Sequence, residues 1–110
     1  MRKSEIWIVD LSDGKGHEQK GQRPAIIMGT ANGLTTVVPL TSNLDKAKFS
    51  FTELIEKTPH NHLSEDSIAL VFQLISLDNV RFLRKVGDLS KENQETVDAL
   101  IANMLKINRN

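Results

Sequence analysis

The stretch PAIIMGTANGLTTVVPL, residues 24–40, leaves this chain little choice of architecture. Two apolar runs, Ala25 to Met28 and Thr35 to Leu40, flank an Asn32-Gly33 pair, the dipeptide that best accepts the positive φ angles of a tight hairpin turn. An antiparallel hairpin is expected, and an isolated hairpin is at best marginal in water, so other elements must cover it. The remaining sequence supplies them. EIWIVDL sets Ile6 and Ile8 against Trp7 and Val9, a strand covered on both faces for part of its length. KFSFTEL alternates Phe49 and Phe51 with polar residues, SIALVFQLISL reads as one long central strand, and VRFLRKVGDL continues the sheet up to Gly87. From Ser90 the period changes: Val97, Leu100, Ile101, Met104 and Leu105 share one helical face, Ser90 is placed to cap the start, and Glu92 and Glu95 lie near the positive amino end. The expectation is a mainly β chain with α (α+β), five or six strands in a strongly bent antiparallel sheet or barrel followed by a terminal helix. With no repeat, low-complexity tract or linker, residues 1–110 read as a single domain.

Charge and cysteine content narrow the function classes. Fourteen basic and fourteen acidic residues cancel, which argues against nonspecific binding to duplex nucleic acid driven by net charge. Any such binding must come from local charge, and residues 14–24 hold Lys15, Lys20 and Arg23 against the single acid Glu18, with His17 able to add to the positive side. There is no cysteine, hence neither a disulfide framework nor a thiolate zinc site. MRKSEIWIVDL has too brief and too acid-interrupted an apolar run for a signal peptide, and no stretch approaches a membrane span, so a cytoplasmic location is the default expectation.

KGHEQKGQRPAIIMG, residues 15–29, puts charged residues in a glycine-punctuated loop directly ahead of an apolar strand, more chemistry than a simple turn requires. This loop, together with TTVVPLTSN, EIWIVDL, EDSIALVFQLISLD and VGDLSKENQETVDALIANML, in this order and spacing, resembles the MazF/PemK toxins of bacterial toxin–antitoxin systems. The likeness covers nearly the whole chain, and its most specific parts are the G-x-[HS]-E-Q-x-G-x-R-P element and the V-x-P-x-T-S element after it. The resemblance implies a small SH3-like antiparallel β-barrel with a C-terminal helix, a homodimer, a small antitoxin partner, and cleavage of single-stranded RNA at short sequences without a metal or other cofactor.

Metal-free cleavage of RNA requires that the 2′-hydroxyl lose a proton, the leaving 5′-oxygen gain one, and the added charge on phosphorus be stabilised. Arg23 suits the last task, since its guanidinium stays charged and offers paired donors to phosphate oxygens; it matches the arginine of the family's R-P motif. Thr41 matches the family's catalytic threonine, and its hydroxyl can donate to the same phosphate, with Ser42 in support. Pro24 and Pro39 bias the residues before them towards extended backbone, which favours rigid positions under the reactive groups. His17 matches the histidine of PemK-type members and is the expected general acid or base, imidazole being the side chain that titrates near neutrality. Glu18 is placed to orient Arg23 or accept a proton, Gln19 to hold the loop or read a base edge, and Lys20 and Gln73 to contact RNA.

One segment departs from the pattern. Where many members carry an acid before the glutamine and an arginine two positions after it, this chain has Phe72, Gln73 and Ile75. Phe72 reads as core or as a platform for a base. His60 and His62, beside Glu65 and Asp66, do not have the spacing of a metal site and read as loop residues. Two readings of different class follow: a sequence-specific endoribonuclease silenced by an antitoxin, favoured by Arg23 and Thr41 together, and a non-catalytic module of the CcdB type that poisons gyrase, or a degenerate inactive toxin, favoured by the missing acid.

Overall fold

The expected hairpin organises the structure, a computed structural model that describes residues 1–12 and 21–107. Strand β2 (Gln22–Ala31) pairs antiparallel with β3 (Leu34–Thr41), and the turn residues Asn32 and Gly33 take φ of 55° and 80°, as a two-residue turn of this hand requires. A register shift between Ile27 and Gly29 bends the hairpin. Strand β1 (Glu5–Asp10) lies beside β2, and β7 (Phe82–Asp88) lies on the other side of β1. On its free edge β3 takes two successive partners, β6 (Ile75–Asp78) along Leu34–Val37 and β5 (Ser67–Leu70) along Leu40–Thr41. Strand β4 (Thr52–Ile55) pairs with β5 and ends the order β4-β5-β3-β2-β1-β7. The end strands β4 and β7 do not pair with each other, so the sheet is barrel-like and open.

Two apolar clusters on opposite faces of β2 and β3 explain why these strands read as unbroken apolar runs. Ile26, Val38 and Leu40 join Ile6, Ile55 and Val97 in one; Ala25, Ile27 and Val37 join Val9 and Leu77 in the other. The helix α1 (Lys91–Leu105) packs on the first cluster through Val97, with Leu100, Ile101 and Met104 partly buried. Ser90 Oγ accepts the Asn93 N–H at 3.1 Å, as its position before the helix predicts.

Three expectations need correction. The run Ser67–Leu77 is two strands, because a 3₁₀ turn at Val71–Gln73, closed by the Leu74 N–H on the Val71 carbonyl, interrupts it and lets β3 be paired by two short strands, at Leu34–Val37 and at Leu40–Thr41; among the described residues the sheet therefore has seven strands. Phe49 and Phe51 precede β4, and Phe51 has φ of 60°, which no strand residue adopts. Leu105 is 52% exposed, since it is the last helical residue before Lys106 turns left-handed and it overhangs the core.

Candidate functional site

Past the Ala25–Pro39 pair β3 is held by β5 on its other edge, and a cleft of about 300 Å³ opens beside the first residues of β2. Strand register places its floor: Arg84, Ile8 and Pro24 stand directly across from one another on β7, β1 and β2, so their side chains share a face. Arg23 from β2 and Ser42, the residue just past β3, line the same cleft, as do His62 and Glu65 from the β4–β5 connection. Two guanidiniums, an imidazole, a carboxylate and the serines Ser42, Ser64 and Ser67 thus line one cleft with an apolar floor, a composition suited to an anionic ligand with a flat apolar part.

The β4–β5 connection owes its shape to one buried side chain. Asn61, 2% exposed, accepts the backbone N–H groups of Thr58 at 2.9 Å and Leu63 at 3.0 Å through Oδ1 and donates through Nδ2 to the Glu56 carbonyl at 2.8 Å. Thr58 returns a bond, its Oγ1 accepting the Asn61 N–H at 3.1 Å. Lys57 N–H donates to Asp66 Oδ1 at 2.9 Å, closing the loop's base. His62 follows Asn61 with φ of 54°, and its Nδ1 lies 3.1 Å from the Val86 carbonyl of β7.

Of the residues singled out in the sequence, Arg23 and Ser42 come together here. Thr41 is buried beside them, and its Oγ1 accepts the Asn43 N–H at 3.2 Å; the lining of the cleft does not include it. Gln73 belongs to the Val71–Gln73 turn and is not part of the lining either. His17, Glu18, Gln19 and Lys20 lie outside the described residues. Phe72 is half-buried against Phe49, ring centroids 5.6 Å apart. Sequence reasoning missed Arg84 and His62, whose place depends on the pairing of β7 with β1 and on the fold of the Asn61 loop. Among the described residues there is no group of three or more His, Cys, Asp or Glu that would hold a metal ion, and no helix is long and apolar enough to cross a membrane.

On the other flank of β1, Glu5 is held at a pKa of about 2, chiefly because the Trp7 indole N–H donates to Oε1 at 2.9 Å. The Arg2 backbone N–H adds a bond at 3.1 Å, and Lys85 Nζ lies 3.3 Å from Oε2. Asp10 is also lowered, by the Ser12 hydroxyl first and the Ser12 backbone N–H second. These carboxylates anchor β1 and play no part in the cleft.

Residues 2–105 match the family described as PemK-like, MazF-like toxin of type II toxin–antitoxin systems. The chain is 34% identical over 108 residues to the endoribonuclease MazF9 of Mycobacterium tuberculosis, with 89% of this chain and 90% of that protein covered. Its fold is similar to that of MazF from Deinococcus radiodurans, with a TM-score of 0.79, 23% identity and 96% of each chain covered. It is also similar to a mycobacterial endoribonuclease solved in complex with its cognate antitoxin, with a TM-score of 0.73, 12% identity, and 98% of this chain and 97% of that one covered.

Proposed function

Because this chain belongs to the PemK-like, MazF-like toxins of type II toxin–antitoxin systems, we propose that it is a sequence-specific endoribonuclease that cuts single-stranded RNA without a metal, inhibits translation and is neutralised by a small antitoxin. The observation that carries the reading is the convergence of Arg23 and Arg84 with Ser42 in one cleft over an apolar floor. Arginine is the side chain best matched to a phosphate that gains charge as the 2′-hydroxyl attacks, because its donors are paired and its charge is permanent.

In this reading Arg23 stabilises the pentavalent phosphate. Thr41 holds the Asn43 N–H with its oxygen and keeps its own hydrogen as a donor to the same phosphate, while Ser42 contacts RNA from the cleft wall. His17 serves as acid or base in the loop ahead of β2, with Glu18, Gln19 and Lys20 contacting RNA beside it; Gln73 contacts RNA from the Val71–Gln73 turn. The chain acts as one domain in the cytoplasm and as a homodimer, with the antitoxin competing for the RNA groove. The solved complex of a structural relative with its cognate antitoxin supports the partner. The half-buried contact of Phe72 with Phe49 supports a packing role for Phe72 in place of the acid that many members carry there.

The test is to incubate the purified protein with a long RNA in excess chelator and map the new ends. Cleavage should persist and leave a 5′-hydroxyl opposite a 2′,3′-cyclic or 3′ phosphate, since the nucleophile is the substrate's own 2′-hydroxyl. A requirement for magnesium, or cutting at a 2′-deoxy nucleotide, would overturn the mechanism; intact RNA together with inhibited gyrase would favour the non-catalytic module.

A further inference from the structure

We propose that His62 is a catalytic residue of this cleft, taking the 2′-hydroxyl proton at Nε2. The inference rests on the RNA-cleaving reading above and adds to it a residue that the sequence pattern passes over as part of a loop.

Three observations carry it. His62 lines the same cleft of about 300 Å³ as Arg23, the residue to which that reading assigns the phosphate. Its ring is oriented: Nδ1 is taken by the Val86 carbonyl at 3.1 Å, which makes Nδ1 the donor and leaves Nε2 as the ring nitrogen available to a substrate. Its backbone is fixed in a conformation that a β-carbon residue seldom adopts, φ of 54°, and the loop enforces this from both sides. On one side the His62 N–H donates to the Thr58 carbonyl at 3.1 Å; on the other, Asn61 and Leu63 are buried, the first with all its side-chain polar atoms bonded. The buried asparagine scaffold thus fixes the position of an exposed histidine. A proton acceptor needs such a fixed position. Glu65 also lines the cleft, but no comparable bond orients its carboxylate among those described, so the imidazole is the better-placed base.

The step balances without a co-reactant. The 2′-oxygen forms a bond to phosphorus as its proton passes to Nε2, the bond from phosphorus to the 5′-oxygen breaks, and that oxygen takes its proton from the acid of the reading above or from solvent, while the imidazolium returns its proton to solvent; with His62 as the base, the acid is the role left to His17. The charged groups lining the cleft with His62 are Arg23 from β2, Arg84 from β7 and Glu65 from its own connection.

The test uses His62→Gly and His62→Asn, both of which accept positive φ and so keep the loop. Cleavage of an RNA oligonucleotide is followed from pH 5 to 8, and binding is measured with the same oligonucleotide carrying a 2′-deoxy group at the cut. The expected result is a fall in kcat of about a hundredfold or more in both variants, binding within about twofold of the parent, and loss of the acid limb of the parent's pH profile. Imidazole added to His62→Gly should restore cleavage in proportion to its unprotonated form. A kcat within about threefold of the parent, or a loss that imidazole does not restore, overturns the proposal. A parent protein that leaves the RNA intact overturns the RNA-cleaving reading itself, and the same assay separates the two failures.

Discussion

Gly87 of β7 and Asn61 of the β4–β5 connection meet backbone to backbone: a Cβ on Gly87 would overlap the Asn61 carbonyl and stand 2.8 Å from the His60 carbonyl oxygen. The Asp88 N–H donates to that same His60 carbonyl at 3.1 Å, so the absence of a side chain at position 87 is what lets the loop dock on the strand. One residue earlier, Val86 receives His62. The wall of the cleft is therefore fastened to β7 at three consecutive residues. Since the clashing atoms are backbone, neither partner can yield by changing a rotamer. Gly87→Ala should cost about 1–3 kcal/mol, the range for overpacking a tight site, and should weaken cleavage beyond what the loss of folded protein explains. Gly29→Ala is the control, because nothing lies within 4 Å of a Cβ there. Denaturant midpoints and initial rates on the two variants check both statements; equal midpoints would show that the contact is not what holds the loop.

Arg23→Ala should abolish cleavage while RNA binding weakens only modestly. A cation aimed at a phosphate that gains charge in the transition state acts mainly on kcat, and the loss of one such donor commonly costs on the order of a hundredfold or more. Arg23→Lys should recover little, because an ammonium is a point charge without the paired donors. Single-turnover rates at saturating enzyme separate this from a binding defect, and a fully active, folded Arg23→Ala would remove the cleft from consideration as the active site.

Arg84 has a different expected signature. It stands across β1 from Pro24 and lines the cleft at the far side of the floor from Arg23, where it is suited to a neighbouring phosphate that does not react. Arg84→Gln should weaken binding of uncleavable RNA by a similar factor for every sequence, and the slope of log affinity against log salt should become shallower by about 0.7, the value for one phosphate contact on a single strand. Its kcat at saturation should stay near that of the parent. An unchanged salt slope would place Arg84 outside the RNA path.

How legible this was in the sequence depended on whether the determining contacts were local. The Asn32-Gly33 turn and the Ser90 cap are set by the φ preferences and hydrogen bonds of adjacent residues, and both appear where their sequence signals stand. The break at Val71–Gln73 left no such signal: β5 before it is buried on both faces and β6 after it alternates, with Leu77 buried and Ser76 exposed, yet the residues on either side of the turn are mostly apolar and read as one run. Arg84 and His62 were invisible as site residues for another reason. The side to which Arg84 points follows from the register of β7 on β1, which shifts twice, between Ile6 and Trp7 and between Ile8 and Val9, and no property of VRFLRKVGDL encodes those shifts. His62 depends on the scaffold that Asn61 builds, and an asparagine in a loop reads only as a turn former. Thr41 stood in a motif whose spacing pointed to the site, yet it ends β3 buried, and Ser42, the first residue past the strand, is the one that lines the cleft.

Acid should unfold this protein partly through Glu5. Its carboxyl is held at about 2, against 4.5 for an ordinary glutamate, by the Trp7 indole N–H first, then by the Arg2 backbone N–H and by Lys85. A folded-state pKa below the unfolded one means that the unfolded chain binds the proton more readily, so Glu5 contributes its full stabilisation above about pH 4.5 and loses it as the pH falls towards 2. The side chain is only 15% exposed, so solvent screens the interaction weakly, and a contribution of about 2 kcal/mol between pH 5 and pH 2 is expected. Other carboxylates titrate in the same window, which is why Glu5→Gln is the informative comparison: glutamine still accepts the indole N–H but cannot gain a proton. Urea midpoints of the parent should fall more steeply between pH 5 and pH 2 than those of Glu5→Gln, and the two curves should approach each other at the acid end. Parallel curves would show that the Trp7 and Arg2 bonds to Glu5 are replaced by equally good ones in the unfolded chain.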